Sequence, residues 1–390
     1  MKGIFMRCDF DPKLGYKLKE YEKETGKIYQ SNQVWRNPQL QLRTDIPVPI
    51  CGPKDLLIKV KSCGICGTDV HIFEHDEEGY VLYPWHAKMN IVLGHELAGI
   101  VEEVGSEVKD FKVGDYVCTE EMIWCGECIP CRNGFPNQCE HLEEIGLTVN
   151  GGMAEYCVSP AKICWKVDAI RERYGDGYDT FDFASLVEPA SVAYNAIFER
   201  GQGFRPGAYA VIFGSGPVGL FGTSLMKAGG ASKVIVFEYQ EKRRLLAKEM
   251  GADYIINPEE LAKQGITSGE AVMELTGGRG ADIIMEASGV GDVVYPEIIK
   301  AAGVDCHIIH TAMSGIPVPV LFPPLQGKAA SIFASVGHSG NGTFENVIRL
   351  MGSGMIDVRP LISNVFTLDQ GIEAFEEAQK RTGAVTLFHD

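Results

Sequence analysis

The chain reads as a mixed α/β protein in two parts, a mainly-β half followed by a doubly wound parallel-sheet half. Three observations predict this. Its 390 residues exceed what one hydrophobic core usually supports. From Gly207 onward, short apolar strands alternate with helical runs, as in an open parallel sheet. Before that point short extended patterns and turns prevail, and cysteine, histidine and glutamate gather at metal-ligand spacings.

In the first half, Ile46-Pro47-Val48-Pro49 and Gly52-Pro53 read as an exposed loop, and Leu56 to Ser62 as a strand rich in β-branched and apolar residues. That strand leads into Cys63-Gly64-Ile65-Cys66-Gly67-Thr68-Asp69-Val70-His71. A Cys-x-x-Cys pair can be a redox dithiol, but the small βαβ context of such motifs is not evident. The alternative makes Cys66 a metal ligand and Cys63 a buried small residue. The polar and aromatic segment from His71 to Gly94 is either a solvated loop or one that faces substrate.

Ile91-Val92-Leu93 then carries Gly94-His95-Glu96, and a strand continues through Ala98 to Gly105. Cys66, His95, Glu96 and, farther on, Glu188 supply the sulfur, nitrogen and oxygen ligands that zinc accepts. A catalytic zinc takes three such ligands and keeps one position for water or substrate. Glu188 precedes Pro189, which predicts that it ends an extended segment before a helix starting near Ala190. A solvated carboxylate at a helix start is an equally open reading of Glu188.

Cys125-x2-Cys128-x2-Cys131-x7-Cys139 marks a second centre. Four closely spaced thiolates suit a closed tetrahedral zinc that shapes a loop. An iron–sulfur cluster competes on the first three spacings; the fourth does not match, and no second set follows.

In the second half, the strand Ala210 to Phe213 runs into Gly214-Ser215-Gly216-Pro217-Val218-Gly219 and a helix, and the strand Lys233 to Phe237 ends at Glu238. Glycines at this strand-turn-helix allow backbone to approach a pyrophosphate at the helix N-terminus. Glu238 lies 19 residues after Gly219, where a carboxylate accepts ribose hydroxyls and repels a 2′-phosphate, favouring NAD over NADP. Lys242, Arg243 and Arg244 follow and offer basic groups of the kind a phosphate would use. Further strands are expected at Tyr254–Ile256, Ala281–Glu286, Cys306–His310 and Ser331–Ser335, and amphipathic helices over Phe344–Met351 and Asp369–Ala378.

A formal net charge of −16 disfavours a nucleic-acid surface, and a small-molecule partner is expected. The N-terminus lacks the apolar core of a signal peptide, which points to the cytoplasm. Glycines and Pro217 break the uncharged run Pro206 to Met226, so a buried strand, turn and helix explain it better than a membrane span.

Assembled, these motifs resemble the zinc-containing medium-chain alcohol dehydrogenases over nearly the whole chain. The resemblance rests on Cys66 to His71, Gly94-His95-Glu96, the four-cysteine lobe, Glu188-Pro189 and the glycine turn with Glu238. It implies a GroES-like catalytic domain over 1–189, a Rossmann NAD-binding domain over 190–337, and a return to the catalytic domain over 338–390. Glu188 matches a position held by cysteine in the best-known members, as in the polyol branch of sorbitol and butanediol dehydrogenases. The stretches Asp76 to Pro84, Glu120 to Cys125 and Gly337 to Phe344 look most like cyclitol dehydrogenases of the scyllo-inosose 3-dehydrogenase type.

The family mechanism implies zinc on Cys66, His95 and a carboxylate, Glu96 or Glu188, acting as Lewis acid while hydride passes to NAD. Thr68 and His71 match a proton relay, and Asp69 matches a carboxylate that orients the ligand histidine. Gly214, Gly216, Pro217, Val218, Gly219, Glu238 and Arg243 would contact the cofactor. The resemblance further implies a homo-oligomer, dimer or tetramer, acting on a polyol or cyclitol. Sorbitol, butanediol or threonine-type activity is the alternative, ahead of a zinc-independent reductase or a non-enzymatic binding protein.

Overall fold

The computed structural model describes residues 1–313, 316–381 and 385–389. The chain divides into two compact units. One comprises Met1–Glu188 with Ile362–Arg381 and the strand Val385–His389; the other is built on Pro189–Leu361. Residues 338–361 thus lie in the second unit, and the return to the first begins at Ile362.

In the first unit the strand Asp55–Gly64 is the hub of an antiparallel-rich sheet. It pairs antiparallel with Glu96–Val104, Tyr156–Pro160 and Val385–His389. Leu56, Ile58 and Val60 are buried along it, as expected for an apolar strand flanked on both edges. Its register with the Glu96 strand sets Cys63 opposite Leu97 and Gly64 opposite Glu96. The two ends that matter chemically are therefore side by side. A second sheet joins Gly3–Phe10 to Trp35–Arg43 and Ile91–Val92.

The second unit holds a six-stranded parallel sheet in the order Tyr254–Ile256, Lys233–Phe237, Tyr209–Phe213, Ala281–Glu286, Ala302–His310, Ser331–Ala334. All six strands expected from the sequence are present. Tyr209–Phe213 lies centrally, where strand order reverses, so a crevice opens beyond its C-terminal end. Val211, Phe213, Ile235, Phe237, Ile284 and Ile308 fill the core on this sheet. The apolar run Pro206 to Met226 resolves into the strand Tyr209–Phe213, a turn and the helix Pro217–Ala228. Among the described residues no helix is long and apolar enough to cross a membrane.

One local expectation is corrected. Glu188 does not end an extended segment, because it occupies the first turn of a helix, Val187–Tyr194, that follows the helix Tyr178–Ser185. Pro189 is tolerated there because first-turn amides have no partner within the helix, so its missing N–H costs nothing.

Candidate functional site

Cys66 is the N-cap of the helix Gly67–Phe73, with extended backbone at φ −73° and ψ 156°. Its sulfur accepts from the Asp69 amide, and its own N–H donates to Asp69 Oδ2 at 2.9 Å. This reciprocal cap fixes where the thiol points. The register of the hub strand then brings the thiol up to His95 and Glu96. Donor atoms of Cys66, His95 and Glu96 all lie within 4.8 Å of one another. Gly64 makes room for this, since a Cβ there would sit 2.0 Å from Glu96 Oε2.

His95, Glu96, Asp69 and Glu188 are all buried, which makes their charges expensive to leave uncompensated. Burial, then repulsion from Glu188, pushes the Glu96 carboxyl up to about 8. Burial also raises the Cys66 thiol, to about 11, against the opposing pull of His95. Burial alone would lower His95, but Glu121, Asp69 and Cys66 together outweigh it and hold the ring well above its usual value. Three acidic donors crowded around one buried imidazole form a site short of positive charge, which a divalent cation would supply.

Asp69 lies beside the ring as expected, but its Oδ1 is 3.9 Å from His95 Nδ1, beyond hydrogen-bond reach. Both atoms are buried without a hydrogen-bond partner. Glu121, which the sequence reading did not single out as a site residue, comes equally near, with Oε1 4.0 Å from the same nitrogen. No spacing rule could have found it, because it lies in the short link between the strands Tyr116–Thr119 and Met122–Ile123.

Thr68 and His71 lie on the Cys66 helix, Thr68 half-buried in its first turn and His71 in its last. His71 Nδ1 is 3.3 Å from Glu74 Oε2, and Arg381 donates to that same oxygen at 2.9 Å. Burial, then Arg381, lowers the His71 pKa against the pull of Glu74. The ring is about one-third exposed, an arrangement able to pass a proton outward.

The four lobe cysteines also converge, their sulfurs within 4.8 Å of one another. Backbone amides point at the sulfurs: Glu127 N and Cys128 N donate to Cys125 Sγ, and Cys125 N and His141 N to Cys139 Sγ, each at 3.3 Å. The Glu127 and Cys128 amides lower the Cys125 thiol to about 6, while burial raises Cys139 and pushes Cys131 up to about 12. A loop whose N–H groups already aim at sulfur is built to stabilise thiolates. Cys63, by contrast, is buried at the end of the hub strand, and all twelve cysteines are free of disulfides.

In the second unit Gly214 has φ +93°, and a Cβ there would meet Ser288 Cα at 2.6 Å. A Cβ on Gly219 would lie 2.0 Å from the Gly214 carbonyl, whereas nothing lies within 4 Å at Gly216, the N-cap of the helix that Pro217 and Val218 begin. The first and third glycines are thus demanded by packing and the middle one leaves space for a ligand. Glu238 is buried, accepting from Ser215 N at 2.8 Å and Gln240 N at 2.9 Å. With Gly214, Gly216, Tyr239 and Arg243 it lines a cavity of about 280 Å³. Arg244 turns instead to the Glu238 and Tyr239 carbonyls.

The sequence matches the alcohol dehydrogenase GroES-like domain family over residues 52–169 and the zinc-binding dehydrogenase family over 217–353. It is 42% identical to scyllo-inosose 3-dehydrogenase of Thermotoga maritima, covering all of both chains. A solved Thermotoga maritima structure assigned to the alcohol dehydrogenases superposes with TM-score 0.95 at 40% identity, again over both full chains. An alcohol dehydrogenase from E. coli CFT073, solved with the cofactor NADH, superposes with TM-score 0.73 at 28% identity, covering 93% of this chain and 98% of that one.

Proposed function

The chain belongs to the zinc-binding alcohol dehydrogenase family, and on that premise we propose that it is an NAD-dependent dehydrogenase of a cyclitol secondary alcohol or its ketone, working as a cytoplasmic homo-oligomer. The observation that carries the reading is the buried group Cys66, His95 and Glu96, with donor atoms within 4.8 Å. Its sulfur, nitrogen and oxygen donors suit zinc, and the crowded negative charge around His95 calls for a cation. Glu188 stands next to Glu96 as the alternative carboxylate. The lobe Cys125, Cys128, Cys131 and Cys139 would hold a second, structural zinc.

When bound, zinc supplies Lewis acidity toward the alcohol oxygen and NAD supplies the hydride acceptor. The protein's own part is positioning and proton handling. Asp69 and Glu121 flank the His95 ring and hold its charge. Thr68 and His71 offer a path on one helix by which the alcohol proton leaves. Gly214, Gly216 and Gly219 open the backbone to the pyrophosphate, with Pro217 and Val218 starting the helix behind them. Glu238 would accept the ribose hydroxyls, with Arg243 on the cavity wall.

The full-length likeness to a scyllo-inosose dehydrogenase supports the cyclitol assignment. The test is a panel of inositols, inososes, sorbitol, butane-2,3-diol and threonine, with NADH followed optically and zinc counted per chain. Turnover of a cyclitol at least tenfold more efficient than of the other substrates is expected. Indifference to every cyclitol would reject the substrate assignment, and a clear preference for NADP would reject the reading of Glu238.

A further inference from the structure

Beside the Cys66, His95 and Glu96 group stands a second polar cluster, in which Tyr83, Glu144 and His86 join Glu121. Tyr83 is 4% exposed and sits among acidic side chains. Burial, then the nearby carboxylates of Glu144 and Glu121, followed by Cys66 and Asp69, holds the phenol well above its usual pKa and therefore protonated. It is a hydrogen-bond donor close to the Cys66 thiol.

The backbone around it is firmly placed. Tyr83 N donates to the His71 carbonyl at 3.0 Å, tying it to the end of the Cys66 helix. Glu144 pairs with Met122 where the two-residue strands Met122–Ile123 and Glu143–Glu144 close the four-cysteine lobe, and Ile145 N donates to the Glu121 carbonyl at 3.0 Å. The two glutamates are thus neighbours, Glu121 just before the strand Met122–Ile123 with Oε1 4.0 Å from His95 Nδ1, and Glu144 in the paired strand Glu143–Glu144. His86 continues the line: its Nδ1 is 3.4 Å from Glu144 Oε2, and its ring stacks on Tyr29 with centroids 5.3 Å apart. Its Nε2 is buried without a hydrogen-bond partner.

We propose that Tyr83, Glu121, Glu144 and His86 form a subsite that holds the non-reacting hydroxyls of a polyhydroxylated ring beside the Cys66, His95 and Glu96 group. The inference rests on the dehydrogenase reading above and deepens it by naming the groups that select the substrate. A hydroxyl both donates and accepts, so it can take the Tyr83 proton while giving its own to a carboxylate. Buried groups left unpaired by a substrate lacking those hydroxyls are the means by which such a site rejects it. His86 and Glu144 present one acceptor edge and one ring nitrogen in a fixed pair, which suits vicinal hydroxyls.

The test compares wild type, Tyr83→Phe and Glu144→Gln as zinc- and NAD-loaded enzymes on a cyclitol and on cyclohexanol, which keeps the ring and one hydroxyl. Each variant is expected to lower the ratio of cyclitol to cyclohexanol kcat/KM by about tenfold, chiefly through the cyclitol KM, with zinc content held. A ratio that stays at the wild-type value in both variants overturns the subsite while leaving the dehydrogenase intact. Parallel loss on both substrates, or lost zinc, does the same, because it assigns these residues to the framework. A wild type that oxidises cyclohexanol but no polyol rejects the substrate reading itself, and the subsite with it.

Discussion

The two cysteine-bearing clusters of the first unit solve the same chemical problem in opposite ways. The lobe draws Cys125, Cys128, Cys131 and Cys139 from 15 consecutive residues and lowers the Cys125 thiol by aiming backbone amides at it. The Cys66 group draws its donors from a helix cap and a strand end, in a buried setting that raises the Cys66 thiol and the Glu96 carboxyl. Burial raises Cys131 and Cys139 within that same lobe, so it is the four like sulfurs drawn from one loop that favour a permanent, closed centre. Donors strained by burial and like charge favour a centre whose metal does work, since the cation relieves a cost that the fold has imposed.

The sharpest way to break this contrast is to remove one sulfur from each cluster. Cys66→Ser should keep one zinc per chain and lose roughly 10³-fold in kcat/KM, measured by metal analysis and steady-state kinetics. Retention of full turnover would end the catalytic assignment. Cys128→Ser should instead lose the other zinc and lower Tm by on the order of 10 °C, read by thermal melting, while the molecules still folded keep most of their turnover.

Smaller changes sharpen the comparison. Gly219→Ala would press a Cβ to 2.0 Å from the Gly214 carbonyl. It should raise the NAD KM by about thirtyfold without altering either zinc, so a changed metal count would show that the units are less separable than drawn. Gly64→Ala crowds Glu96, whose Oε2 would lie 2.0 Å and Cβ 3.2 Å from the new methyl. The fold should hold and kcat drop by about tenfold; unaltered kcat and zinc affinity would shift the third ligand toward Glu188. Glu238→Ala should raise the NAD KM by about fivefold and leave NADP little affected, as judged by kcat/KM for both cofactors.

Much of this was legible in the chain. All six parallel strands, the glycine turn and the four-cysteine lobe follow from spacing and apolar runs, because each is decided within some 20 residues. Cys66 and His95 could be suggested as partners by ligand type. For Glu188 the sequence left an extended end and a solvated helix start both open; it lies in a helical first turn, but buried, since the bias of a residue before proline is weak against a helix whose first turn accepts proline.

The sequence by itself determined the two-part α/β architecture, the dehydrogenase family and the residue types available for metal and nucleotide, because periodicity and short motifs are local properties. Only the tertiary structure decided which carboxylates meet the imidazole. The pairing of Gly64 with Glu96 brings Glu96 to Cys66 and His95, the link between two short strands brings in Glu121, and the segment after the Cys66 helix buries Tyr83. Strand register and burial set those contacts, and both depend on residues far apart in the chain.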